Sequence, residues 1–518
     1  MVANKILSFD ECEPVFAQLK AGGKTIVHCH GAFDLLHFGH LKHLEEARSL
    51  GDVLVVTITS APYMNKGPGR PVFSDEQRAY HLAHLAIVDH VVVVPKTGAV
   101  EIIERVKPDV YCKGIEYATP ANETDRRVHE DAAAVERHGG RVAFVGAPLH
   151  SSTRLLATHM PVLDQEVREY LESFQGSEVS QAIDDLVARI GALRVLVVGD
   201  LIVDRYTYCK MQGLTTKAKI PSLRPEVTKD SLGGSLAIAR HVASFGCDTK
   251  LLALAGDEPW LQELLEVAEQ ELTLKLLGGG EGYQTIVKER FVERPGQRKD
   301  LIKYFAVNRL LDKPPAELQE KLLASLREEL ARCDLVILCD YGHGMIDARV
   351  QALLEEESPY LALNCQTNSY NYGFNLITKY RHCDLFSLDE RELCLAFGER
   401  LANDYELLVR LTRKLGAQHA WLTLGSSGSV VYTPEQAQEP HSCPAMVKTT
   451  VDTVGAGDAF YSVAALCGAV GADVRITSVL SNLAGAIAAN VVGNEEPISK
   501  DAVVKNARYL FKTVGLAD

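Results

Sequence analysis

Val451–Phe460 reads V-D-T-V-G-A-G-D-A-F. It follows an apolar, strand-like segment, His419 to Tyr432, and a polar run. It opens a small-residue, helix-like segment from Gly457 to Val470. Gly455, Ala456 and Gly457 have almost no side chain, so their backbone N–H groups can turn toward one point at a helix N-terminus and hold an anion. Asp458 comes next, a carboxylate aimed at the same point. A phosphate in the glycine loop and a base beside it are the minimum parts for moving a phosphoryl group onto a hydroxyl.

With Asp452 and Thr453 ahead of it, this pattern resembles the C-terminal signature of the ribokinase-like (PfkB) sugar kinases. The resemblance covers roughly Leu193 to Asp518. It implies a ribokinase-like α/β domain with a small β lid, and ATP and Mg²⁺ as reaction partners. In that family the glycine loop holds the charge developing on the transferred phosphoryl group, and the Asp matching Asp458 takes the proton from the sugar hydroxyl.

A chain of 518 residues exceeds one such domain. Hydrophobic residues make up 47% and charged residues 24%, the balance of a globular protein with ample core. A net charge of −14 argues against a large nucleic-acid or anionic-membrane footprint. The twelve cysteines form no C-x-x-C pair, so neither a zinc ribbon nor a disulfide framework is expected. No signal segment and no long apolar run are present, and a reduced cytoplasm is the expected location.

Toward the N-terminus, strand-like runs at Lys24 to His30, Asp52 to Ile58, Val91 to Val94, Asp109 to Cys112 and Arg141 to Val145 alternate with helical segments. The helices are expected at Leu41 to Leu50, Ser74 to Leu85, Ala99 to Val106 and Asp125 to His138, with Ser74 and Gln77 as a capping box. Alternation of this kind predicts a parallel sheet wrapped by helices, with ligands at the carboxyl ends of the strands. His37-Phe38-Gly39-His40 follows the first strand. Two imidazoles three residues apart at a helix start share a face and can donate to phosphate oxygens, while Gly39 keeps the approach open.

The surrounding residues, Gly31-Ala32-Phe33-Asp34-Leu35-Leu36-His37-Phe38-Gly39-His40, then Lys66 and Arg70, Lys113-Gly114, and His150-Ser151-Ser152-Thr153-Arg154, resemble the cytidylyltransferase-like nucleotidyltransferases. That likeness spans about Lys24 to Ala157 and implies a Rossmann-like domain over residues 1–160. It assigns His37, His40 and Lys113 to catalysis, and Gly31 to Asp34, Lys66, Arg70 and Ser151 to Thr153 to the nucleotide. His30 and His150 depart from the commonest form of the motif.

Residues 161–192 read as two helices joining the halves, the second belonging to the kinase. In the kinase half, Gly199-Asp200-Leu201-Ile202-Val203-Asp204-Arg205-Tyr206 and Gly233-Gly234 place polar groups where a sugar could be gripped. The family's usual Asn is replaced by Ala237. Lys288, Arg290 and Lys303 lie on ribbon-like strands, the expected lid and dimer contact, and could meet a phosphate already on the substrate. Asp340 ends another strand, as a further substrate contact. Asp389-x-x-Glu392 stands where the family ties Mg²⁺ through water, with Asp in place of Asn. Thr423, Gly425, Gly428 and Gly493 are expected to flank ATP. The stretch from Asn364 to Tyr380 is polar and aromatic, with sugar or interface contacts the expectation.

The pairing resembles the bifunctional enzymes of ADP-heptose synthesis, which phosphorylate a heptose 7-phosphate and later adenylylate the heptose 1-phosphate, though with the two halves in reversed order. Three readings follow. The first is a bifunctional sugar kinase and nucleotidyltransferase using ATP, or CTP at the N-terminal half. The second is a cytidylyltransferase for a polyol phosphate fused to its kinase. The third is a sugar-phosphate sensor with one inactive half.

Overall fold

The computed structural model describes residues 5–64, 71–96, 98–114, 124–145, 163–174, 178–278, 282–293, 302–310, 313–399, 404–435, 439–446, 454–490 and 496–516. The chain divides into two compact units, Met1–Gln165 and Glu166–Asp518. Among the described residues no helix is long and apolar enough to cross a membrane.

In the first unit, six strands form one parallel sheet: β1 (Ile6–Leu7), β2 (Ile26–Gly31), β3 (Val53–Thr59), β4 (His90–Val94), β5 (Val110–Gly114) and β6 (Arg141–Val145). Their order is β1-β4-β3-β2-β5-β6. The middle strands are mostly apolar because helices cover both faces, with His28 and His30 the polar exceptions on β2. These helices are α1 (Glu13–Ala21), α2 (Phe38–Arg48), α3 (Asp75–Ala83), α4 (Val100–Val106) and α5 (Thr124–Arg137). Val27, Cys29 and Leu54 face the core on which Leu44 and Leu82 pack, while Ile26, Val55 and Val92 face Phe16 and Ile103. Chain order reverses between β2 and β5, so the crevice at their carboxyl ends is the topological switch point where such sheets take ligands.

The second unit opens with α6 (Gln165–Glu172) and α7 (Val179–Gly191). Both helices pack on it: Phe174 meets Phe511 at 5.2 Å, Tyr170 Oη lies 3.1 Å from His441 Nε2, and Arg508 pairs with Asp184. The segment expected as a linker is therefore largely part of this unit, because its apolar residues at helical spacing needed a partner surface.

A nine-stranded sheet forms its body: β7 (Arg194–Gly199), β10 (Asp248–Leu254), β11 (Thr273–Leu277), β14 (Leu335–Asp340), β15 (Leu361–Cys365), β16 (Leu385–Asp389), β17 (His419–Thr423), β18 (Ser429–Tyr432) and β19 (His441–Cys443). The order is β11-β10-β7-β14-β15-β16-β17-β18-β19, parallel except for the edge formed by β18 and β19. A separate four-stranded sheet is built from β8 (Leu201–Leu214), β9 (Pro221–Gly233), β12 (Ile286–Glu293) and β13 (Ile302–Arg309), in the order β13-β12-β8-β9. Its face is only half buried, as a lid's must be: Ile302, Phe305 and Val307 on β13 and Val227 on β9 are exposed.

Three helices frame the site: α8 (Gly234–Ala243), α12 (Glu390–Phe397) and α14 (Ala456–Ala469). The small residues Ala459, Ala464 and Ala465 let α14 lie buried against its neighbours from Ala459 to Gly468, while its first turn stays open.

Candidate active sites

A cavity of about 930 Å³ opens in the second unit between the lid sheet and the carboxyl ends of β16 and β17. Gly455 is the N-cap of α14 at φ 82°, a left-handed conformation that glycine adopts without strain. The turn it makes brings Ala456, Gly457 and Asp458 to the cavity wall at the helix start. Burial pushes the Asp458 carboxyl up to about 6, against an opposing hydrogen bond from Gln366, whose Nε2 donates to Oδ1 at 3.0 Å. A carboxyl in that range is ionised near neutral pH yet basic enough to accept a proton.

From the lid, β12 brings Lys288 and Arg290 to the same cavity. Arg290 pairs with Asp204. Burial lowers the proton affinity of Lys288, while the nearby Asp204 carboxylate works against that shift. Gly233 leaves room for Asp204: a Cβ there would sit 2.2 Å from Asp204 Oδ2.

At the other end, Asp389 is the N-cap of α12 and forms a reciprocal capping box with Glu392. Glu392 N donates to Asp389 Oδ1 at 2.7 Å, and Asp389 N to Glu392 Oε2 at 3.2 Å. Burial, then the Asp389 charge, pushes Glu392 up to about 8. Thr423, Gly425 and Gly428 line this end together with Ala486 and Ala489.

In the first unit, α2 begins at Phe38, three residues before the expected start, because His37 itself caps it: Gly39 N donates to His37 Nδ1 at 3.1 Å. That bond leaves the proton of the neutral ring on Nε2, which is buried with no hydrogen-bond partner among the described residues. Burial also lowers the proton affinity of His37. The His37 and His40 rings lie 4.0 Å apart, and Phe33 lies 5.3 Å from His40. An orphaned donor at a helix N-terminus is fitted to an anionic oxygen. On the other side of the switch point, Lys113 at the end of β5 pairs with Asp131 at 3.0 Å.

A family model for the pfkB family carbohydrate kinases matches residues 192–501, more than half of the chain. The chain belongs to the pfkB family of carbohydrate kinases. A second model, described as cytidylyltransferase-like, matches residues 28–158. Among curated proteins, the bifunctional protein HldE of Syntrophotalea carbinolica is 42% identical over 125 residues, 24% of this chain and 24% of that one. The bifunctional protein HldE of Aliarcobacter butzleri is 44% identical over 114 residues, 22% of this chain and 24% of its own. These alignments thus span about a quarter of each relative. Phosphofructokinase-2 from Escherichia coli matches 61% of this chain and 99% of its own with a TM-score of 0.49 and 14% identity.

Within the pfkB domain, several residues expected to grip substrate turn out to support the walls. Arg205 does not reach the cavity: its guanidinium forks onto Asp230 at 2.6 Å through both Nε and Nη2, and lies over Trp260. Asp340 is buried and already accepts from Tyr380 Oη at 2.6 Å, Gly342 N at 2.9 Å and Lys379 Nζ at 2.5 Å. Asp200 lies behind the wall at 2% exposure, pushed up to about 7 by burial and then by Asp340. Gly234 lines the cavity; Gly233 serves Asp204 from behind. Ala237 is buried in α8.

In the N-terminal unit, Asp34 is likewise committed to the backbone. Its carboxylate accepts from Val72 N and Phe73 N, both at 3.0 Å. Phe33 is a core residue at φ 44°, its ring laid over Gly31 and toward His40. The carbonyl of Ala32 accepts from the fully buried Arg78 at 2.6 Å. Lys66, Arg70, Ser151, Ser152, Thr153 and Gly493 lie outside the described residues.

Residues without an assigned role proved central. Gln366 contacts Asp458, Thr367 N donates to Glu392 Oε1 at 3.0 Å, and Asn375 Nδ2 donates to the Asp340 carbonyl at 3.1 Å. The polar stretch after β15 therefore binds the acidic groups of the cleft into one frame. The Asp389-x-x-Glu392 capping box was present as a spacing signal. Gln366 carries no such signal.

Proposed function

We propose that the chain is a bifunctional enzyme of nucleotide-activated sugar synthesis. One half phosphorylates a sugar phosphate of the heptose 7-phosphate kind with ATP. After a separate phosphatase has removed the first phosphate from the bisphosphate so formed, the other half transfers a nucleotidyl group from ATP (or CTP) to the sugar 1-phosphate and releases pyrophosphate. The observation that carries the reading is Asp458 at the glycine-led start of α14, inside a cleft whose opposite wall holds Lys288 and Arg290.

In the kinase half, Asp458 takes the proton from the anomeric hydroxyl as that oxygen attacks the γ-phosphorus. The bond to the β-phosphate oxygen breaks and ADP leaves. The N–H groups of Gly455 to Gly457 face the transferred phosphoryl group. Lys288 and Arg290 meet the phosphate already on the sugar. The oxygen donors of Asp389 and Glu392 suit Mg²⁺, reached directly or through water, and the ion would neutralise phosphate charge. Glu392, held up near 8 by burial and then by the Asp389 charge, is a carboxyl that a cation would favour in its ionised form.

In the N-terminal half, an oxygen of the sugar 1-phosphate attacks the α-phosphorus of the nucleotide and pyrophosphate departs. His37 Nε2–H and His40 donate to the phosphate oxygens. Two segments supply further contacts in this reading: Lys66 with Arg70, and Ser151 to Thr153. Lys113 joins them by exchanging Asp131 for phosphate.

The exposed apolar residues of β13 and β9 support dimerisation through the lid. The test is a coupled assay over a panel of sugar phosphates with ATP and CTP, read by product mass. A sugar bisphosphate and a nucleotide-sugar are expected. Pyrophosphate released with CTP and not ATP would remove the adenylyl assignment, and no phosphorylated product from any sugar would overturn the kinase half.

A further inference from the structure

Five carboxylates line the kinase cleft: Asp204, Asp389, Glu390, Glu392 and Asp458. Three cations line it with them, and two of these, Lys288 and Arg290, stand on the lid, Arg290 already paired with Asp204. A nucleotide triphosphate brings several more negative charges to the opposite end, where Asp389 is register-paired with Thr423 and where Glu392 feels the charge of Asp458. The remaining lining cation is Arg391, in the first turn of α12.

Arg391 is held in place. Its guanidinium lies over the Tyr372 ring, 4.5 Å from the centroid, and its Nε donates to Tyr372 Oη at 3.4 Å. Tyr372 belongs to the same loop that sends Gln366 to Asp458. One face of the guanidinium is thus stacked, while its NH₂ groups remain available. A planar fork of this kind suits paired phosphate oxygens.

We propose that Arg391, positioned on Tyr372, contacts the terminal phosphates of the nucleotide in the kinase cleft. The contact offsets the acidic cluster where the phosphoryl group leaves, and the 366–375 loop thereby sets both the base and the phosphate clamp. The proposal rests on the kinase reading above.

The experiment is hydrogen exchange on the full chain, following amides of residues 456–469 as Mg²⁺ and AMP-PNP are titrated in, with adenosine as the phosphate-free probe. This peptide reports the kinase cleft separately from the N-terminal unit. Arg391→Ala should raise the half-protecting concentration of AMP-PNP roughly tenfold or more and leave adenosine unchanged. Tyr372→Ala should give a smaller rise, and Arg391→Lys an intermediate one. Arg332→Ala, an exposed charge control, should shift nothing. In turnover, the KM for ATP measured by ADP release should rise while the KM for the sugar stays put. Superimposed AMP-PNP curves for Arg391→Ala and the parent would overturn the proposal and leave the kinase reading standing. Equal losses for adenosine and AMP-PNP would overturn it too. No protection of the parent by AMP-PNP would overturn both.

Discussion

The cleft around Asp458 and the crevice beside His37 share one local device, a turn that feeds a helix start. They differ in what stands at the helix start. In the cleft it is a carboxylate raised by burial to about 6 and steadied by Gln366. In the crevice it is an imidazole whose protonation is disfavoured by burial and whose free nitrogen is a donor. The contrast follows from the attacking group in the proposed reactions. A sugar hydroxyl carries a proton that must be removed, so a base is required. A sugar phosphate is already ionised, so donors for the phosphates are enough.

That contrast can be broken at either end. The largest effect is expected for Asp458→Asn, which should cut ADP release about 10²- to 10⁴-fold, as for loss of a general base, while a circular dichroism melt stays near the parent's. His37→Asn should cut pyrophosphate release about 10²-fold, because Asn can still cap α2 but offers no donor at the Nε2 position. If His37→Asn were as active as the parent, capping would be the whole role of that residue. Gln366→Leu sharpens the base assignment. The parent's kinase kcat/KM should fall as pH drops through about 6, since the base works only when ionised. Removing a hydrogen bond that favours the carboxylate should move that acid limb to higher pH. An unmoved limb would mean Gln366 only fills space. The smallest effect is expected for Asp389→Asn: Asn caps as well as Asp, so stability should change by less than about 0.5 kcal/mol in a denaturant melt. Loss of the Asp389 charge should still lower the Glu392 pKa, observable by NMR titration.

The sheet strands were legible largely as apolar runs because helices bury both faces, and the start of α14 was legible to within one residue from small residues followed by a chemical group, whereas α2 begins three residues ahead of the expected Leu41. The capping box of Asp389 and Glu392 is local and was present in the spacing, while the cap at His37 was not, since histidine is not among the residue types that favour an N-cap. The residues whose roles changed fail for one physical reason. Asp34 bonds amides 38 and 39 positions away, Arg205 a carboxylate 25 away, and Asp340 a tyrosine 40 away. A charged residue at a strand's end looks the same in sequence whether it faces a ligand or a distant loop. Gln366, 92 positions from Asp458, was hidden in the same way.

The central claim is that one chain holds two chemically separate phosphate-handling centres. Its most direct test measures ADP and pyrophosphate in parallel for the parent, Asp458→Asn and His40→Ala, each supplied with ATP, Mg²⁺ and the matching sugar phosphate. A crossed pattern is predicted, with Asp458→Asn losing only ADP release and His40→Ala losing only pyrophosphate release. Loss of both products in either variant, or of neither in both, would contradict it.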